Sequence, residues 1–424
     1  MKRLLTVVTA LLAVATAFSA AGRFVTLGDD GSFRLGDSVY TYVGTNLWYA
    51  PILASDGRGG DTGRLARELD RLKSLGIDNV RVLAGGDGEE GIPSHISPVL
   101  QTAPGVYNDT LLVGLDRMLA MLEERDMRAV VYLNNAWEWS GGYGTYLEWA
   151  DSVPTPNPAI AGYPAYMEHA ARFVRNEKAK KLAADHVRNI VTRVSSVSGR
   201  PYSESPAIMS WQIANEPRAF ASDQATKDAF AEWVASQAAL IKSLDPNHLV
   251  STGSEGMHGC EEDLSLWTRV HLDPNIDYGI IHIWPYNWGW VRAGSLAEDA
   301  EHACAEAGKY ISLHSDIMRK AGRPLVVEEF GYPRDGMSLV PGSPTTGRDT
   351  FYRFIFSLTG EGRPIAGVNF WGWAGEARPV GEIWTEGSPY TADPAQEPQG
   401  LNSVFDTDAS TLSIIKEKTN TKNE

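Results

Sequence analysis

One pattern recurs along this chain and constrains its fold more than any other: a short apolar run, a loop, then a stretch whose apolar residues fall on one helical face. The patterning predicts strands over residues 40–46, 77–83, 128–134, 207–213, 248–252, 278–282, 325–329 and 367–371. Helices are predicted over 62–75, 110–125, 178–196, 223–244, 261–270, 297–320 and 347–358, the sixth broken or bent near Gly308, with a short last helix at 412–418. In the first helix Leu65, Leu69, Leu72 and Leu75 share a face and Gly76 ends it. In the second, Leu111, Leu115, Met118, Leu119 and Leu122 form the stripe. The strands are apolar throughout, as in a parallel sheet covered on both faces by crossover helices. Eight such units close into a (β/α)₈ TIM barrel. The competing open, doubly wound sheet lacks its usual mark, because no Gly-rich phosphate loop follows the first strand. With 424 residues, 43% of them hydrophobic, the chain can fill such a core and still carry long loops at the barrel's C-terminal face.

The flanks carry separate signals. Lys2 and Arg3, the apolar run over 4–18 and the small residues Ser19, Ala20 and Ala21 read as a signal peptide over 1–21, with cleavage after Ser19 or Ala21 fitting alike. The run is shorter than the roughly 20 residues needed to span a bilayer. The expectation is therefore an exported protein, secreted or periplasmic, with no membrane anchor. Residues 22–418 form one catalytic barrel, 419–424 a polar tail, and the protein acts as a monomer. Residues 23–35 read as a small β-hairpin cap turning at Asp30-Gly31. A net charge of −15 and a pI near 5.1 argue against nucleic acid or an anionic membrane surface as partner. Cys260 and Cys304 are the two cysteines, and the sequence leaves open whether they pair or stay free; their spacing from histidines does not suit a structural zinc site.

In a barrel, the strand ends of one polarity surround a single mouth, where sites are built. Residues at or just beyond those ends are Asn46 and Trp48, Arg81, Asn134 and Asn135, Asn215 and Glu216, His282 and Trp284, Glu329, and Trp371. So many polar and aromatic groups in one ring would be costly unless used. Pro217 stops the strand that carries Asn215 and Glu216, so both project from its end. Leu325-Val-Val-Glu-Glu-Phe-Gly331 repeats that design, an apolar run ending in carboxylates and a turning glycine. Residues 135–176, too long for an ordinary connection, add Trp137, Trp139, Tyr143, Tyr146, Trp149, Tyr163 and Tyr166. Two carboxylates among tryptophans point to carbohydrate, since pyranose C–H faces lie well on aromatic rings. One carboxyl would protonate the glycosidic oxygen while the other attacks the anomeric carbon or activates water. A catalytically silent glycan-binding protein with the same cleft is the rival from another class. A metal enzyme using His258, His282, Glu216 and Glu329 is more remote, because their spacing matches no helix-borne ligand pair. Neither a metal nor a cofactor is expected.

Six short strings in order along the chain carry a resemblance: Gly44-Thr-Asn-Leu-Trp-Tyr49, Asn134-Asn-Ala-Trp-Glu-Trp139, Asn215-Glu-Pro-Arg218, His282-Ile-Trp-Pro285, Glu329-Phe-Gly331 and Asn369-Phe-Trp-Gly-Trp373. Together they resemble clan A glycoside hydrolases of family 5, and within it the endo-β-1,4-mannanases. The resemblance implies a retaining hydrolase of internal β-1,4-mannosidic bonds in mannan, galactomannan or glucomannan. It makes Glu216 the acid/base and Glu329 the nucleophile. It also implies that Asn215 meets the 2-hydroxyl, that Trp371 lies beneath the sugar being cleaved, and that Arg218 binds on the leaving-group side. Arg81 is the candidate to keep Glu329 ionised, and His282 to orient the pair. Asn46, Trp48, Asn134, Asn135, Trp137, Trp139 and Trp284 complete the expected substrate-binding set. An endo-β-1,4-glucanase of the same family remains an alternative, since the two sugars differ only at the 2-hydroxyl. The chain departs from the family's His-x-Tyr, having Trp284 where the tyrosine belongs, with Tyr286 a possible replacement. Glu328 adjoins Glu329, and strict alternation would turn only one of them to the axis.

Overall fold

The computed structural model describes residues 24–420. Its centre is a barrel of eight parallel strands: β1 (Tyr42–Asn46), β2 (Asn79–Leu83), β3 (Arg128–Tyr132), β4 (Ile208–Gln212), β5 (Leu249–Ser251), β6 (Gly279–Ile283), β7 (Leu325–Phe330) and β8 (Gly367–Phe370). Every residue in them is buried, which explains their unbroken apolar patterning. The sheet order is β5-β4-β3-β2-β1-β8-β7-β6. Between β5 and β6 the ring is drawn together by Asp277 N–H to Val250 O at 2.8 Å and Ser251 Oγ to Tyr278 O at 2.8 Å.

Around the barrel run α1 (Thr62–Ser74), α2 (Asp109–Glu124), α3 (Glu177–Val191), α4 (Gln224–Leu244), α5 (Leu264–His271), α6 (Ala300–Lys320), α7 (Thr346–Ser357) and α8 (Ala409–Asn420). Asp61, Asn108, Asn176, Asp223 and Asp263 cap the first five by accepting backbone N–H groups, each worth about 1 kcal/mol. α6 is unbroken at Gly308. A Cβ there would lie 3.1 Å from Phe354 of α7, so this glycine serves close helix packing and not a bend. Residues 135–176 are not an open loop: helices at Gly142–Asp151 and Tyr163–Ala170 fold within them, and their aromatic side chains pack on one another.

The N-terminal hairpin gains a third strand, Ser38–Val39 beside Phe33–Leu35, which itself pairs with Val25–Leu27. Val25, Phe33 and Tyr40 pack with Met209, Leu249, Ile280 and Val326 and close the barrel end opposite the mouth. At the mouth, the segment after β8 is laced down by Trp48 Nε1 to Ala392 O at 2.8 Å and Tyr390 Oη to Ser97 O at 2.6 Å. Buried Arg334 and Arg348 both donate to Ser403 O, at 2.9 and 3.0 Å. Residues 419 and 420 belong to α8, where Thr419 Oγ1 donates to Leu75 O at 2.6 Å. The expected signal peptide and the rest of the tail lie outside the described residues. Cys260 and Cys304 are both buried and free. Among the described residues no helix is long and apolar enough to cross a membrane.

Candidate active site

The site grows from an irregularity in β7. Its register with β6 pairs Ile281 with Val327 but His282 with Glu329, leaving Glu328 as an extra residue. A bulge of this kind re-aims side chains, so both glutamates reach into the barrel. The expectation that alternation would turn only one inward is corrected. Arg81 of β2, wholly buried, joins them. Its Nη1 donates to Glu329 Oε1 in close contact and to Asn46 Oδ1 at 3.1 Å, Nη2 to Asn215 Oδ1 at 2.9 Å, and Nε to Gln212 Oε1 at 2.9 Å. Gln212 in turn donates to Glu328 Oε2, which lies 3.5 Å from Arg81 Nε. The Tyr132 ring lies against the guanidinium at 4.3 Å. A buried cation is tolerable only with such complete pairing, since loss of a partner costs about 3–5 kcal/mol.

Glu216 follows β4 with a left-handed backbone, φ 47°, a conformation rare outside glycine and concentrated at functional sites. Its N–H donates to Gly253 O at 2.9 Å, fixing the turn to the segment after β5. Trp137 Nε1 donates to Glu216 Oε2 at 2.6 Å, and His282 Nδ1 sits 2.9 Å from Glu216 Oε1 and 3.3 Å from Glu329 Oε2. Lying between two carboxylates, Nδ1 is assigned the hydrogen. Trp284 Nε1 donates to Glu329 Oε2 at 3.3 Å, so the tryptophan, not Tyr286, supports that carboxylate. Oxygen atoms of Glu216 and Glu329 and a His282 nitrogen lie within 4.8 Å of one another, close enough to hold a cation. Arg81 already brings positive charge to that cluster.

Burial pushes both carboxyls above the ordinary range, and their proximity raises Glu329 further. Against this, Arg81 pulls Glu329 down by direct contact, whereas Glu216 feels Arg218 and Arg81 without touching either in a salt bridge. The direct ion pair with Arg81 thus favours the ionised form of Glu329, and no such pair acts on Glu216 among the described residues. Burial drives His282 well below its usual value, keeping the imidazole neutral.

Above the carboxylates opens a cavity of about 330 Å³. Trp137, Trp139, Asn215, Glu216, Arg218, Trp284, Glu329 and Trp371 line it. Six expected substrate-binding residues do not line it, because protein partners occupy them. Asn46 and Arg81 are fully buried beneath, Asn46 Nδ2 donating to Glu328 O at 2.9 Å. Trp48 anchors the segment after β8. Asn134 Oδ1 accepts Asn135 N–H at 2.8 Å, and Asn135 Oδ1 accepts Trp137 N–H at 2.9 Å. His282 lies beneath, its Nδ1 near an oxygen of each carboxylate. The wall also contains Tyr163, Glu255, Asn287, Trp288, Pro394, Gln396 and Glu397, which strand-end reasoning missed. Tyr163 and Trp288 belong to aromatic-rich stretches that could have signalled them; Gln396 and Glu397 sit in a loop with no periodicity. Three larger hollows, of about 340, 580 and 740 Å³, contain neither paired carboxylate.

The family model described as GH family 5 β-mannosidase-like matches residues 22–423. The chain belongs to glycoside hydrolase family 5. A family 5 mannosidase from Rhizomucor miehei is similar to it throughout, with 33% identity, a TM-score of 0.86, and coverage of 94% of this chain and 97% of that one. The mannan endo-1,4-β-mannosidase 1 of Solanum lycopersicum is 28% identical over 356 residues, 81% of each chain. The endo-1,4-β-mannanase of Rhizomucor miehei shares the fold, with 20% identity, a TM-score of 0.64, and coverage of 94% and 99%. Family 5 membership and the barrel agree with the expectation drawn from the six strings.

Proposed function

We propose that this family 5 protein is an exported, retaining glycoside hydrolase of β-1,4-mannosidic bonds in mannan, galactomannan, glucomannan or their oligosaccharides. The observation that carries retention is that an oxygen of each carboxylate lies within 4.8 Å of the other, a close approach beside the roughly 6.5–9.5 Å between carboxyl groups that leaves room for water in an inverting site. Glu216 donates its proton to the glycosidic oxygen as Glu329 Oε attacks the anomeric carbon and the C–O bond breaks. Glu216, now ionised, takes a proton from the water that releases the sugar from Glu329. The sugar assignment is supported by the names of the similar mannosidase and mannan endo-1,4-β-mannosidase. Proton NMR of the first products tests both points. The β-anomer of a mannosyl end should appear first, with reducing ends released from mannan faster than from carboxymethylcellulose. First-formed α-anomer would refute retention, and equal or faster cleavage of the cellulose derivative would refute the sugar.

Internal cleavage is the mode that the sequence resemblance and the tomato relative's name support. One observation favours a second mode, cleavage near a chain end. The segment after β8 bonds to the loops after β1 and β2 through Trp48 and Tyr390, walling that side of the mouth, while Asn287 on the side of β6 stays exposed. On the wall, buried Trp371 Nε1, Gln396 Oε1 and Glu397 Oε2 have no hydrogen-bond partner among the described residues, leaving polar groups at the cavity that a sugar could satisfy. Mannohexaose separates the modes: mannose as the earliest product, with slow loss of mannan viscosity, means end-wise action. Mannotriose and mannobiose with rapid loss of viscosity mean internal action.

A further inference from the structure

We propose that Glu255 is a positioning residue for the acid/base carboxyl, acting through Arg218 and Trp137 by holding the Arg218 guanidinium in place and cancelling its charge. The inference rests on the reading of Glu216 as the acid/base. Glu255 follows β5 and is only 4% exposed. Its Oε2 accepts Arg218 Nε at 2.6 Å and lies 2.5 Å from Nη2. Its backbone carbonyl accepts Tyr310 Oη at 2.8 Å, anchoring the segment to α6. The guanidinium lies over the Trp137 ring at 5.4 Å, and Phe220 meets the same ring edge-on at 5.1 Å. Trp137 is the indole that donates to Glu216 Oε2 at 2.6 Å. A chain of contacts thus runs from Glu255 through Arg218 to the indole that aims the acid.

Charge acts in the same direction. A cation beside a carboxyl favours its ionised form, the wrong form for a proton donor. Arg218 is the strongest influence opposing burial at Glu216. Glu255 supplies the opposite sign within the same ion pair and itself interacts with Glu216. The other groups facing Glu216 are Arg81 and Glu329 from the barrel floor, neutral His282, Tyr132 of β3, and Tyr163 and Glu397 across the cavity. Glu261 adds a second acid near Arg218 while accepting Phe220 N–H at 2.9 Å. None of these others pairs with Arg218 at salt-bridge distance among the described residues.

Glu255→Gln keeps the side-chain shape and removes only the charge. On mannobiose, the alkaline limb of kcat/KM should move to lower pH by about one unit. Arg218→Gln, which removes the cation instead, should move it to higher pH, and the double variant should return it to within about 0.3 unit of the wild type. A limb that stays in place in Glu255→Gln while KM rises would overturn the proposal, leaving Glu255 as an ordinary binding group. If Glu255→Gln does not fold, the Arg218→Gln shift decides, and its absence is equally fatal. A separate arm uses 2,4-dinitrophenyl β-mannoside, whose leaving group needs no proton. If its bond-breaking step shows the same alkaline limb in the wild type, the acid/base reading of Glu216 fails, whatever Glu255 does.

Discussion

Replacing Glu329 with glutamine should lower turnover of mannan oligosaccharides by at least about 10⁴-fold, while Glu328→Gln should cost no more than about 10-fold. The two residues are adjacent, both buried and both near Arg81, so chemistry of position must separate them. Glu329 touches the guanidinium, accepts from Trp284 and faces the cavity, whereas Glu328 lies below, 3.5 Å from Arg81 Nε, and accepts from Gln212. Burial pushes Glu328 up to about 7 against the pull of Arg81, so a neutral amide is a fair replacement there. An amide at Glu329 cannot attack the anomeric carbon. In Glu329→Ala, azide should restore turnover on an activated mannoside and give the α-mannosyl azide, the product of one inversion. Greater damage from Glu328→Gln than from Glu329→Gln, in kcat measured on properly folded protein, would reverse the assignment of nucleophile.

The sequence made the barrel legible because eight apolar runs alternate with helical stripes, and parallel burial leaves that trace in each. It also made the carboxylate pair legible, since Pro217 and Gly331 mark where β4 and β7 deliver their last residues. Three things were hidden for distinct reasons. The bulge at Glu328 depends on the register of β7 with β6, a pairing between strands that no single-strand periodicity contains. The contrast between residues that touch the cavity and residues that hold them, as with Asn46 beneath and Asn215 above, depends on depth along a strand, not on residue type. The wall after β8 is set by long-range bonds such as Tyr390 to Ser97, 293 positions apart, so Gln396 and Glu397 had no local signal. The free state of Cys260 and Cys304 belongs to the same class, a fact of tertiary placement.

The converse variant, Glu216→Ala, should slow mannobiose hydrolysis by about 10²–10⁴-fold, the usual contribution of a positioned acid, and should divide by substrate. With 2,4-dinitrophenyl β-mannoside the first bond breaks without a proton, so formation of the sugar ester on Glu329 is spared. Its hydrolysis then lacks a base, and a burst of dinitrophenol should precede a slow steady state. Azide, which needs no base, should relieve that slow step and give the β-mannosyl azide, opposite in configuration to the product from Glu329→Ala. The pH profile adds an independent check. Burial raises Glu216 above the ordinary range, so if it is the acid, activity should persist to higher pH than a free glutamate would allow. The acidic limb belongs to ionisation of Glu329, and His282, driven well below its usual value by burial, adds no limb near neutrality. In Glu216→Ala the alkaline limb on mannobiose should vanish while the acidic one remains, since the group that must stay protonated is gone and the group that must ionise is not. An alkaline limb that survives the substitution would assign the proton to another group, and the absence of a burst would deny that Glu216 serves as base in the second step.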